Sequence, residues 1–139
     1  KKIKKKKNIS FVYTDYFLVD KKKRKIEIKK LPNFDVKEIF QRGDFLATGT
    51  LYRKSALTKN GYYRTKYKNS GLENYELILR LLIKRYKGLL IKKALFYHTR
   101  HAKNMSLVKT KKIKKFGNFI FKKYNLGTYR INKNHPYLN

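Results

Sequence analysis

Ser70–Gly88 reads SGLENYELILRLLIKRYKG, and its spacing decides the fold. Leu72, Tyr75, Leu79, Leu82 and Tyr86 recur at steps of three and four, the period that aligns side chains on one face of an α-helix. Ser70 followed three residues later by Glu73 has the form of a capping box, and Gly88 supplies a stop, so the spacing predicts a helix over 70–88. Strand patterns flank it. Upstream, Ser10–Asp20 (SFVYTDYFLVD) is aromatic and β-branched and predicts a largely buried strand. The polar run 21–25 closes it, and Lys25–Lys29 (KIEIK) alternates as its hairpin partner. Downstream, Leu89–Ile91 and Ala94–His98 predict short strands. Helices alternating with strands indicate an α/β layer architecture.

The intervening stretches fill in the order. Pro32 breaks the chain, and Asp35 with Glu38 forms a second capping box before the apolar Val36, Ile39 and Phe40, a short helix ended by Gly43. Phe45–Tyr52 (FLATGTLY) predicts a strand whose Thr48-Gly49-Thr50 stretch leaves room for a close approach to the backbone. Arg53–Asn60 predicts a helical turn or two, stopped by Gly61. Ser106 is placed to cap a Lys-rich amphipathic helix reaching Tyr124, with Val108, Ile113, Phe116, Phe119 and Ile120 on its apolar side. The predicted organisation is a basic leader over 1–9, an α/β unit over 10–108 with a mixed sheet and flanking helices, and a basic helical tail over 109–139.

Composition bounds the function. The 139 residues carry 38 Lys+Arg against 8 Asp+Glu, a formal net charge of +30, yet 41% are hydrophobic, which is enough for a core and excludes a wholly disordered basic tail. No apolar run approaches the length of a membrane span, and no signal-peptide pattern opens the sequence. Without cysteine there is no disulfide framework, thiolate zinc site or Cys nucleophile. The charge suits nucleic acid or an anionic membrane surface. Its bases are overwhelmingly Lys scattered among abundant Asn, Ile and Tyr, however, whereas a groove reader favours the bidentate fork of Arg. Every acid lies between Asp15 and Glu76, so carboxylate chemistry belongs to the first part and anion holding to the rest.

Two groupings carry candidate chemistry. Glu73 and Glu76 share a face in the first turn of the 70–88 helix, where the dipole keeps a general base ionised and where acids also serve as caps. His98, Arg100 and His101 leave a strand for a loop that continues to Asn104 and Ser106. Such a cluster can grip a diphosphate or, through His101, complete a metal site, although the paired spacing of a zinc site is absent. Gly-rich phosphate loops and Ser-His-Asp orders are missing.

In order, VYTDYFLVD, LPNFDVKEIF, TGTLYRKSAL, NGYY, GLENYELILRLLIKRYKGLLI and LFYHTRHAKNMS resemble the second half of the GT-A domain of bacterial family 2 glycosyltransferases, over most of Ser10–Ser106. The most specific part, GLENYELILRL, is similar to the family's Glu-Asp-(Trp/Tyr)-(Asp/Glu)-Leu-x-x-Arg-Leu helix. The resemblance implies transfer, with inversion, from a nucleotide-sugar donor to a polysaccharide or lipid-linked acceptor, with a divalent Mn²⁺ or Mg²⁺. It implies that Glu73 and Asn74 occupy the catalytic Glu-Asp pair, with Asn74 standing where the family has its base, so that either Glu73 or Glu76 accepts the proton or this copy is impaired. Arg100, His101, Asn104 and Ser106 then belong to the loop over the donor diphosphate, and Thr48, Gly49, Thr50 and Arg53 to the acceptor side.

The family's nucleotide-binding βα units and its Asp-x-Asp do not occur in this sequence. With Lys1 in place of an initiator Met, the expectation is an incomplete GT-A domain, cut from a longer chain, that holds neither nucleotide nor metal by itself. The expected location is cytoplasmic, with peripheral contact on the inner face of the membrane through the tail. The competing reading is a small basic module for nucleic acid or anionic membrane, without catalysis.

Overall fold

The computed structural model describes residues 8–42, 46, 49–101 and 109–130. Along the chain run β1 (Ile9–Thr14), β2 (Tyr16–Val19), β3 (Lys25–Lys29), α1 (Val36–Arg42), β4 (Leu51–Tyr52), α2 (Lys54–Asn60), a 3₁₀ turn at Thr65–Tyr67, α3 (Glu73–Ile83), β5 (Lys87–Ile91), β6 (Tyr97–Thr99) and α4 (Thr110–Tyr124). The protein is thus α/β, with small mixed sheets and flanking helices.

The aromatic run near the start forms not one strand but two, broken at Asp15. β1 pairs in parallel with β5 and antiparallel with β4, while β2 pairs in parallel with β6 and antiparallel with β3. The register explains the break. Thr14 faces Ile91 and Phe17 faces Tyr97, so five residues, 92–96, stand against two, 15 and 16. The surplus arches away, held where Leu95 N–H donates to the Asp15 carbonyl and Phe17 N–H to that of Phe96.

α3 is shorter than its spacing predicts. It ends at Ile83 because Arg85, at φ +60°, takes the left-handed position. The N–H groups of Arg85 and Tyr86 return to the carbonyls of Leu82 and Leu81, satisfying the helix end before Gly88 is reached. Gly88 lies instead within β5, where a Cβ would stand 2.4 Å from the Phe11 ring. α2 does stop at Gly61, whose φ is +69°. The predicted strand over 45–52 is realised as Leu51–Tyr52 among the described residues, and Gly43, Ser106 and Val108 lie outside them.

α3 is buried from Tyr75 through Leu82, on all sides rather than along one stripe. One apolar cluster joins Phe11 and Tyr13 of β1, the α3 side chains, and Ile113, Ile120 and Phe121 of α4. The described part of 109–139 therefore packs into the same core as 10–108, with its lysines turned outward. Among the described residues, no helix is long and apolar enough to cross a membrane.

Candidate functional site

The site is built around the first turn of α3. Leu72 is the N-cap, and the Glu73 carboxylate reaches back to accept from the N–H of Ser70 (2.9 Å) and of Gly71 (3.1 Å). That is half of the predicted capping box. The Ser70 hydroxyl instead accepts from Leu72 N–H at 3.4 Å, one residue short of the helix. Two backbone donors ahead of the N-cap hold the carboxylate in place, at the positive end of the helix dipole, the Ser70 N–H being shared with the Tyr67 carbonyl at 3.0 Å. Glu73 and Asn74 are both half-buried.

Topology gives this turn its position. α3 joins β5 through only Lys84–Tyr86, and an 11-residue helix of about 16 Å matches a five-residue strand of about 17 Å. The helix therefore runs back along β5, and its N-terminus lies toward the carboxyl ends of β1 and β5. Gly49 and Thr50 approach the same end, since Leu51 faces Val12 and the chain before it passes the end of β1. Gly49 is pressed on Phe96, with a hypothetical Cβ only 2.2 Å from the ring, and its φ of +70° is one that residues with a side chain rarely adopt. The Thr50 hydroxyl donates to the Leu46 carbonyl.

Arg53 is not brought there. Its backbone N–H donates to the Ser10 carbonyl and its Nε to the Ile9 carbonyl at 3.1 Å, at the opposite end of β1. Arg100 extends the pairing of β6, its N–H donating to the Val19 carbonyl at 2.8 Å, and His101 follows, half-buried. His98, opposite Leu18, turns its ring edge-on to Tyr16. The chain that leaves the sheet at His101 meets the α3 N-terminus again in α4, where Ile113 Cγ1 would lie 2.8 Å from a Cβ on Gly71. Thr48, Asn104 and Ser106 lie outside the described residues.

Glu76, one turn further along, has a different environment. It is 1% exposed, and a buried carboxylate survives only when paired and hydrogen-bonded. Oε2 accepts from Arg80 Nε at 3.0 Å, while Oε1 accepts from the Tyr124 hydroxyl and has the Arg64 guanidinium at 3.5 Å. Burial, then the adjacent Glu76 charge, pushes the Tyr124 phenol well above its ordinary range. Glu76 is thereby enclosed as a structural anion. Of the candidate carboxylates in this helix, Glu73 is the one nearer the surface. The i,i+4 spacing of Glu76 and Arg80 is readable in the sequence. Tyr124, 48 residues away, is not signalled by any spacing.

At the strand break, a cleft of about 530 Å³ is lined by Asp15, Lys30, Leu31, Pro32, Asn33 and Lys92. The buried Asp15 carboxylate accepts from Leu31 N–H at 2.8 Å and so fastens the chain after β3 to the centre of the sheet. Among the described residues, no three His, Asp or Glu side chains gather in a group that could hold a metal ion. The divalent ion implied by the resemblance therefore has no fitting donor set among them.

Neither the known protein-family models nor the curated proteins match this chain.

Proposed function

We propose that the chain is the acceptor-side, catalytic-helix portion of an inverting family 2 glycosyltransferase, acting on a nucleotide-sugar donor and a hydroxyl of a polysaccharide or lipid-linked acceptor. The observation that carries this reading is the position of the GLENYELILRL helix. Its first turn, bearing Glu73 and Asn74, lies toward the carboxyl ends of parallel strands, where open α/β sheets bind their ligands. Gly49 and Thr50 approach that end as well.

On this reading the Glu73 carboxylate takes the acceptor hydroxyl's proton as the oxygen attacks the anomeric carbon. The bond to the nucleoside diphosphate breaks with inversion, and the leaving group departs as an anion. Arg100 and His101 offset its charge. Asn74 cannot take the proton, so its amide is limited to hydrogen bonding with the acceptor. Nucleotide and metal contacts belong to a donor-binding half that this sequence does not contain.

The test uses the protein expressed from its complete reading frame. Arg100→Ala/His101→Ala should abolish sugar transfer and weaken nucleoside-diphosphate binding in titration calorimetry. Superimposable titrations of variant and wild type would remove these residues from the donor site, and undiminished sugar transfer would remove them from the reaction.

A further inference from the structure

The sheet formed by β3, β2 and β6 is partly open to solvent on one face: Phe17 is half-buried there and Val19, two residues on, is buried, while side chains of the flanking strands are exposed. Ile28 and Phe17 are directly opposed across the antiparallel pair, and Phe17 and Tyr97 across the parallel one. These three side chains therefore form a row on one face, and Ile26 lies beside it, at the register shift that sets Lys25 rather than Ile26 against Val19. Ile26, Ile28 and Tyr97 are each more than half exposed, at 55%, 53% and 58%. The other face, bearing Tyr16 and Leu18, is buried.

The surroundings of this row are basic. From Asp20 to Lys30 there are seven bases against two acids, a net of +5, and both acids are engaged within the hairpin: Asp20 with Arg24 at 2.6 Å and Glu27 with Lys29 at 2.6 Å. Lys92 and Lys93, both exposed, lie on the arch before β6.

We propose that this face docks on an anionic lipid membrane, with Ile26, Ile28 and Tyr97 entering the headgroup–acyl boundary and the hairpin bases meeting the lipid phosphates. Charge complementarity selects the occupant. A second copy of the chain would bring another +30 against the same rim. Single-stranded nucleic acid needs open aromatic faces for base stacking. Here Phe17 is stacked on Tyr97 at 5.3 Å and covered by Lys25 Nζ at 4.5 Å, and the remaining members are aliphatic. An apolar strip ringed by lysines matches what a charged interface offers: hydrocarbon beneath phosphate. α4 offers less for this role, because Ile113, Ile120 and Phe121 on its apolar side are buried in the core; Phe119, expected on that side, is instead exposed beside Phe116. The inference is independent of sugar transfer and stands or falls by lipid binding alone.

The chain contains no tryptophan, so Tyr97→Trp introduces a unique fluorophore at the proposed contact. With vesicles of phosphatidylcholine carrying about 30% phosphatidylglycerol, its emission should shift to the blue and be quenched by brominated acyl chains. Binding should be at least about a hundredfold weaker to phosphatidylcholine alone. In co-sedimentation at about 0.5 M salt, where the Debye length falls to about 4 Å, Ile26→Ser/Ile28→Ser should lose about tenfold or more relative to wild type. An unshifted Tyr97→Trp emission on vesicles that carry the protein would overturn the proposal, since attachment would then be through lysines elsewhere. So would equal sedimentation of the Ser variant, or a spectral response to single-stranded RNA that vesicles do not produce.

Discussion

Arg80 Nε donates to Glu76 Oε2 across 3.0 Å, one helical turn away, and the same guanidinium donates to the carbonyls of Asn60, Gly61 and Tyr62. One side chain thus pairs with the buried charge of α3, which Arg64 and the Tyr124 hydroxyl also face, and satisfies the carbonyl end of α2. Arg80→Ala should cost about 3–5 kcal/mol in urea unfolding, because it takes from the buried carboxylate its nearest cation and leaves the three carbonyls without their donor. Arg80→Lys should recover little, since one ammonium cannot reproduce the planar fork. Adding Glu76→Gln to Arg80→Ala should cost less than the sum of the two single changes, with a coupling of about 0.5–3 kcal/mol. Strict additivity would show that the pair does not act as a unit.

Glu73 serves as a helix cap whatever else it does, and the two roles separate by substitution. Glu73→Gln retains an oxygen acceptor for Ser70 or Gly71 and should cost about 1 kcal/mol in stability. As the proposed base it should lower kcat of the complete protein by about 10² or more while leaving donor affinity unchanged. Wild-type turnover would leave Glu73 as a cap only. Asn74→Asp, restoring the family pattern, should raise kcat.

Gly117 gives a prediction against helix propensity. Replacing a mid-helix glycine with alanine ordinarily gains about 1 kcal/mol, but here the new Cβ would stand 2.1 Å from the Tyr129 ring. Gly117→Ala should destabilise by about 1–3 kcal/mol. In the Tyr129→Ala background the same change should become neutral or stabilising. Thermal unfolding of the four proteins in that cycle reads the sign directly.

Tyr13, Tyr52 and Tyr124 all have phenols held above their ordinary range, in each case chiefly by burial, with Asp15, Tyr63 and Glu76 respectively adding to it. Their protonated forms are favoured by the fold. The associated stability is fully present below the unfolded value of about 10 and is lost as pH rises beyond it, because the unfolded chain gives up these protons first. Phenolate absorbance should therefore show a late fraction that ionises together with loss of helical circular dichroism. Tyr52→Phe should make the alkaline decline shallower, and an unchanged slope would show that Tyr52 titrates normally.

Local chemistry was readable where it closed within a few residues. Asp35 does accept from Glu38 N–H at 2.8 Å, the Glu73 return bond forms, and Gly61 ends α2 as its position suggests. Long-range partners decided the rest. The run around Asp15 has no internal breaker of its own, and it divides because the opposite strand carries three more residues than the register needs. Gly88 looked like a helix stop because glycine is the usual left-handed residue, yet Arg85 adopts that conformation earlier and Gly88 is needed for the approach of Phe11. For the site, sequence spacing placed Glu73 and Asn74 together but could not tell that Glu76, on the same face, would be sealed beneath Tyr124. Nor could it separate Arg53 from Gly49, which lie toward opposite ends of a short strand.

The bond from Tyr124 to Glu76 spans 48 residues and that from Lys123 to Tyr67 spans 56, so α4 closes a core whose other walls are made much earlier. At about 5–20 residues added per second, a ribosome leaves some 2–10 seconds between the synthesis of Glu76 and that of its phenolic partner. Throughout that interval α3 has apolar surface that only α4 will cover. A nascent chain of this sequence is therefore vulnerable to aggregation until α4 has been made, and a stop codon ahead of Ile113 should yield a product that degrades or precipitates rather than a smaller folded domain.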